Sequence, residues 1–282
     1  MIEKSVSLKH ERSLSMALTM GVLCFGAVLM LVPFIWMVLT SFKTYKETVT
    51  VPIVWLPEHW SFDNYREVLK TLDFFRYYRN TIFVTLVTVS IMTVIASLAA
   101  FTFARMQFPG RTALFSILLA VYMVPPQMTM VPKYMMIASF GWVDTFRGVI
   151  IPNLFSVYTM FMLRQFFFSL PRDIDDAAKI DGCSFFRIYW QIDMPLIQNG
   201  LIAITVLNVL WAWNDLLWPL IATTTDHKRV LSVAIATLQN STGTEYQILM
   251  AAGVLAIIPI LILYSICQRY FMDGIATSGV KG

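Results

Sequence analysis

The sequence predicts an all-α polytopic membrane protein with six transmembrane helices, and three observations carry that prediction. Hydrophobic residues make up 57% of the 282 positions and charged residues 13%, against roughly 25% charged in a soluble domain. Mean hydropathy is +0.67. Six apolar runs have the length, about 20 residues, that crosses a hydrocarbon core roughly 30 Å thick. A soluble chain of this length would divide into domains of about 150 residues, but the composition overrides that division. The 21 Phe, 17 Met, 11 Tyr and 8 Trp also exclude intrinsic disorder, collagen-like sequence and a charged coiled coil.

Residues 1–16 form a polar arm carrying Lys4, Lys9 and Arg12. The run 17–40 follows; it exceeds a signal-peptide apolar region and no A-x-A-like site follows it, so it reads as an uncleaved anchor. The loop 41–79 contains Trp55, Pro57, Trp60 and Asn64-Tyr65-Arg66-Glu67-Val68-Leu69. It is too apolar and regular for a linker and is expected to fold on the outer surface. Runs at 80–104, 113–138, 148–168, 199–222 and 247–268 make a five-helix core, 80–268, which includes a polar loop at 169–198. A tail, 269–282, ends the chain. An even number of spans puts both termini on one side. Lys and Arg divide almost evenly between the two sides in either orientation, so the total does not choose between them. The amino-terminal arm and the loop Arg105–Arg111, with two cations and no acid, lean toward a cytoplasmic amino terminus.

The polar loop is the most informative stretch. Pro171 ends the preceding helix, Asp173 is expected to cap a new one, acids occupy its first turn where the helix dipole favours them, and Gly182 supplies a left-handed closing residue. A second short helix is expected from Ser184, with Phe185, Phe186, Ile188, Tyr189, Trp190 and Ile192 as its apolar body, until Pro195 opens the fifth span. Ala177 and Ala178 leave a low-profile surface flanked by acids, suited to docking in a groove of another protein. An amphipathic connector resting on the membrane surface is the competing reading.

Within this loop Asp176-Ala177-Ala178, three residues, Gly182, nine residues, Ile192, one residue and Met194-Pro195 resemble the EAA loop of permease subunits from binding-protein-dependent ABC importers. The spacing matches throughout; Asp176 stands for Glu and Met194 for Leu. Ser41-Phe42-Lys43-Thr44, Trp55-Leu56-Pro57, Asn64-Tyr65, Arg79-Asn80-Thr81, Leu163-Arg164-Gln165-Phe166-Phe167, Trp213-Asn214-Asp215, Leu217-Trp218-Pro219 and Gly279-Val280-Lys281-Gly282 resemble the carbohydrate-uptake branch, and within it MalG-like subunits. The resemblance implies a bacterial or archaeal cell (inner) membrane protein with both termini cytoplasmic and a cytoplasmic coupling helix between the fourth and fifth spans. It implies a homologous second permease, two ATPase subunits that hold ATP and Mg, an extracytoplasmic solute-binding protein and a carbohydrate substrate. The ATPase-coupling residues it implies are Asp173, Asp176, Ala177, Ala178, Asp181, Gly182, Ile192 and Pro195, with Gly279 and Lys281 in an ATPase-facing tail.

Polar residues inside the spans are the remaining candidates. At 100° per residue Asn208, Trp211, Asp215 and Trp218 share one face of the fifth run, beside Asn214. A carboxylate there costs several kcal/mol unless paired or watered, so a cavity-facing position is expected; a belt position near the outer interface is the alternative. Aromatic rings beside amide and carboxylate groups would suit a sugar. In the third run Val124-Pro125-Pro126-Gln127 and Pro132 must kink or break the helix. The carbonyls near Val121 and Tyr122 would then face a neighbouring helix or a wet path, making Tyr122 and Gln127 path candidates; a packing kink is the alternative. Thr81, Thr85 and Thr88 mark a helix-packing face.

No G-x-x-x-x-G-K-[ST] sequence is present, nor any Gly-Lys pair, so the chain has no Walker A loop and is expected to hydrolyse nothing by itself. HExxH and GxSxG are absent too, and His10, His59 and His227 lie outside the spans, so no metal site, cofactor or catalytic residue is expected. Cys24, Cys183 and Cys267 have no metal-ligand spacing and no disulfide framework. The small net charge of +4 gives no nucleic-acid footprint. Two other classes compete with the ABC permease: an ion-coupled secondary carrier using Asp215, which would be expected to show internal repeats, and a non-transporting membrane scaffold.

Overall fold

The computed structural model describes residues 2–240 and 243–279, and side chains at 16, 18–238 and 245–268. In chain order the helices are α1 (Ile2–Ser41), α2 (Tyr45–Val49), α3 (Asp63–Thr71), α4 (Phe74–Arg105), α5 (Arg111–Tyr122), α6 (Pro126–Ser139), α7 (Phe146–Ile150), α8 (Val157–Ser169), α9 (Arg172–Ile180), α10 (Phe185–Arg187), α11 (Met194–Leu196), α12 (Gln198–Asn214), α13 (Leu217–Ala222), α14 (Leu231–Ala236) and α15 (Tyr246–Gly279). Gln239 and Asn240 pair antiparallel with Thr244 and Gly243. α1, α4 and α15 contain unbroken segments long and apolar enough to cross a membrane. Bent pairs make up the other three of the six crossings: α5 with α6 at 96°, α7 with α8 at 41°, and the stretch Phe185–Leu196 with α12 at 82°.

The chain forms two compact units, residues 1–71 with 238–255, and residues 72–237 with 256–282. In the first, α1 exposes apolar side chains all round from Leu18 to Ile35, the pattern of a helix whose solvent is lipid. Polar packing begins where it ends, because the last carbonyls of a helix have no partner within it. Asn64 Nδ2 donates to the carbonyls of Ser41 and Lys43, each at 2.8 Å, and the Ser41 and Tyr65 hydroxyls meet at 2.6 Å. Lys43 is buried; its Nζ donates to the Val54 carbonyl at 2.6 Å and lies 3.9 Å from the Trp36 ring centroid. The Ser-Phe-Lys and Asn-Tyr motifs are therefore two halves of one contact, and the loop after α1 is folded.

In the second unit α4 packs along α8 and α12. Hydrophobicity does not drive helices together in lipid, so close packing through small residues has to. Ala96, Ala100 and Ala104 repeat at four-residue spacing on α4 and are buried with Met160, Leu163 and Phe167 of α8. At the α4 start, Asn80 Nδ2 donates to the His227 and Arg229 carbonyls at 3.0 and 2.9 Å, and Thr81 Oγ1 accepts the Leu231 N–H at 2.8 Å. Thr85 and Thr88 are buried on the same face.

Three expectations are corrected. The third run breaks at the prolines, as expected, since a residue before proline is driven from the helical region and Pro125, at φ −56° and ψ 131°, precedes Pro126 at the start of α6; what changes is the fate of a freed carbonyl. The Val121 carbonyl is not orphaned, since it accepts the Val124 N–H at 3.1 Å. The fifth run is not one helix: α12 stops at Asn214, Asp215 is extended with ψ 118°, and α13 resumes at Leu217. Asn208, Trp211, Asp215 and Trp218 therefore do not form one continuous stripe. Pro195 lies inside the stretch Phe185–Leu196 and does not itself open α12, which begins at Gln198.

Candidate functional site

Two places in the second unit collect the polar groups, and the first is the loop 169–198. α9 starts after Pro171, which offers no side-chain cap, so Asp173 is not the cap but stands with Asp175 in the first turn, where the dipole favours acids. Gly182, at φ +78°, closes the helix in a conformation that costs a residue with a Cβ. The Cys183 N–H reaches the Ala178 carbonyl at 2.9 Å and the Gly182 N–H reaches that of Lys179 at 3.0 Å, the pattern of a Schellman end. Ser184 Oγ then accepts the Arg187 N–H at 3.3 Å, as the sequence suggested. Ile188–Asp193 widens into a π-helical turn just before Pro195, a residue that has no N–H to continue an α-helical ladder.

α9 has two unlike faces. Asp173, Asp176, Ala177, Asp181 and Gly182 are exposed, and Asp176 accepts from Lys179 Nζ at 2.8 Å. That hydrogen bond and the lysine's charge hold Asp176 below the usual carboxylate range. Ala178, expected on the docking surface, is 6% exposed and packs against the cluster containing Phe167, Ile188 and Tyr189; only Ala177 presents the low surface outward. Ile192 is half-buried against the same cluster and Pro195 is exposed. Ile180, Phe186 and Trp190 expose apolar surface along the loop.

Sequence reasoning missed what lies beneath α9. The Arg105 side chain is buried at the end of α4, with Nε 3.3 Å from Asp175 Oδ2 and 3.4 Å from Asp193 Oδ2. Its Nη2 donates to the Leu170 carbonyl at 3.2 Å. The only signal in the sequence was a lone cation ending an apolar run.

The second place is a cavity of about 720 Å³ where the α5–α6 break, the α7–α8 joint and α12 meet. Broken backbone at membrane depth is tolerated where it lines a cavity. Tyr122, Asn153, Tyr158, Asn208 and Trp211 lie on its wall with Met92 of α4. The Tyr122 and Tyr158 rings stack with centroids 6.4 Å apart. Asn208 is 6% exposed; its Oδ1 accepts from Thr159 Oγ1 at 3.0 Å and its Nδ2 has no protein partner. Of the path candidates, Tyr122, Asn208 and Trp211 come together here. Gln127 is exposed on α6 and off this wall. Asn214 donates to the Leu210 carbonyl, and Trp218 is buried, its indole shared between the Gly148 and Val149 carbonyls. Asp215 lines a smaller recess with Thr81, Thr85, Asn153 and Trp211. Lys133, unremarked in the sequence, donates to Asn153 Oδ1 at 2.7 Å, lies 4.1 Å from the Trp218 ring centroid, and is near enough to Asp215 for their charges to interact. Among the described residues no cluster of three His, Cys, Asp or Glu is placed to hold a metal.

Comparison with known proteins gives this geometry a context. The family described as "Binding-protein-dependent transport system inner membrane component" matches residues 92–276. The arabinooligosaccharides transport system permease protein AraQ of Halalkalibacterium halodurans is 31% identical over 97% of this chain and 99% of its own. The diacetylchitobiose uptake system permease protein NgcG of Streptomyces coelicolor is 32% identical over 90% of this chain and 85% of its own. The lactose transport system permease protein LacG of Rhizobium radiobacter is 27% identical over 92% and 94%. A crystal structure of a bacterial ABC transporter that imports the acidic polysaccharide alginate contains a similar fold, with a TM-score of 0.78 at 23% identity over 90% of this chain and 95% of that one. With the family pattern spanning both the cavity and the loop, and a full-length relative above 30% identity, this chain belongs to the inner membrane components of binding-protein-dependent transport systems.

Proposed function

We propose that this chain is one of two permease subunits of an ATP-driven importer and forms half of the path for a sugar or oligosaccharide. Carbohydrate is supported by the substrates in the names of its relatives and by a cavity wall of Tyr122, Tyr158 and Trp211 with an unpartnered amide at Asn208. Rings of this kind stack on sugar CH faces, and the buried amide is free to hydrogen-bond a hydroxyl. An extracytoplasmic binding protein delivers the substrate, a homologous permease completes the path, and two ATPase subunits hold ATP and Mg. Both termini are cytoplasmic in this reading, which puts α9 on the ATPase side. Gly279 ends α15 in the proposed ATPase-facing tail; Lys281, placed there too, lies outside the described residues.

The observation that carries the reading is the form of α9. It is a short helix with an acidic outer face, the small Ala177 surface and a glycine-made end, seated over the end of α4 by Arg105. ATP-driven closure of the ATPase pair displaces α9 and reorients the membrane helices. The test is Gly182→Arg in the complex reconstituted with its binding protein. An arginine side chain is strained at φ +78° and obstructs the docking surface, so substrate-stimulated ATPase activity is expected to disappear while the chain still inserts. Normal stimulation would refute the assignment.

A further inference from the structure

The sole cation buried among the described residues of this loop region touches three successive parts of it. Leu170 precedes α9, Asp175 is in its first turn and Asp193 ends the π-helical turn that follows α10; one guanidinium, on the last residue of α4, meets all three at 3.2 to 3.4 Å. The side chains of Arg105, Asp175 and Asp193 are 3%, 8% and 0% exposed. Both carboxylates meet the guanidinium at Nε and the carbonyl meets it at Nη2, so the planar group is held at two of its corners. A second contact ties α4 to the π-helical turn: the Ser97 and Tyr189 hydroxyls meet at 2.7 Å. One side chain at the end of α4 thus contacts α9 and the chain on both sides of it.

We infer that Arg105 is the positioning residue that makes α9 and the end of α4 move as one body, so that a displacement of α9 reaches the cavity wall through α4. The inference rests on the proposed seating of an ATPase on α9. α4 runs from Arg105 past Met92, on that wall, to Asn80 and Thr81. Arg105 touches neither substrate nor nucleotide; its effect is on how much transport each ATP hydrolysis produces.

The experiment measures ATP hydrolysed per substrate imported, in proteoliposomes holding the complete complex and binding protein, for wild type, Arg105→Gln, Arg105→Lys and Gly182→Arg. Subunit stoichiometry is measured on each preparation. Arg105→Gln, which keeps a donor but loses the fork and the charge, is expected to raise the ratio at least fivefold with the ATPase subunits still bound. Arg105→Lys, which keeps the charge alone, is expected to fall between. Spin labels at Arg172 and Gln107, both exposed, read the motion itself: their separation stays constant on ATP binding in wild type and changes in Arg105→Gln. A wild-type ratio in Arg105→Gln alongside lost coupling in Gly182→Arg overturns the inference and leaves the function standing. Wild-type behaviour in both overturns the function and the inference with it. If Arg105→Gln does not assemble, Arg105→Lys decides: a wild-type ratio there overturns the inference.

Discussion

The two ends of α4 hold their neighbours by different chemistry. At the start of the helix, Asn80 and Thr81 catch backbone groups of residues 227–231 with neutral hydrogen bonds. At its end, Arg105 catches two carboxylates and a carbonyl in a buried site. A neutral clasp on backbone fixes the shape of a loop whatever its side chains are. An ionic clasp is favourable only when complete, because a buried charge without its partner is costly. The more exacting contact is thus placed at the end proposed to receive force from the ATPase.

The difference is broken most severely by Arg105→Leu. Leaving two buried carboxylates without their cation is expected to destabilise the purified complex by about 3–5 kcal/mol, read as a lower unfolding temperature and poor recovery; an unchanged unfolding temperature would mean water already solvates the site. Asn80→Ala removes the neutral clasp and leaves the carbonyls of His227 and Arg229 without that donor, at a cost of roughly 2 kcal/mol. Uptake should fall with stability while the ATP used per substrate stays constant, in contrast to Arg105→Gln. Within α9, Ala178→Leu overfills a buried position at a cost near the low end of about 1–3 kcal/mol. Ala177→Leu leaves stability unchanged and weakens ATPase retention on co-purification; equal effects at the two positions would erase the distinction between the faces. Asp215→Ala should give the smallest change, slowing uptake without loss of the ATPase, and wild-type uptake kinetics would show that its recess is off the path.

The six crossings were legible because lipid demands long apolar runs, and the ends of α9 were legible because glycine and proline act locally. Asp173 was misassigned as a cap because Pro171 begins the helix without any side-chain cap. The break at Asn214 was missed: Asp215 and Leu216 form no recognisable stop signal, and Pro219 lies within the next helix. Tyr122, Asn208 and Trp211 were visible as polar or aromatic exceptions within apolar runs. Asn153 and Tyr158 were not, since they join the cavity only through the tertiary meeting of the α5–α6 break, the α7–α8 joint and α12, and Lys133 was not, since it reaches that wall only through its hydrogen bond to Asn153. Arg105 was hidden for the same reason: its partners lie 65 to 88 residues away in sequence, beyond any local pattern.

The most direct test of the central claim is the energy source of transport in cells or vesicles carrying the complete system. The account predicts that uptake of the oligosaccharide stops when vanadate blocks ATP hydrolysis and continues when an uncoupler collapses the ion gradient. Uptake that survives vanadate and stops with the uncoupler would contradict it and point to a carrier working through Asp215.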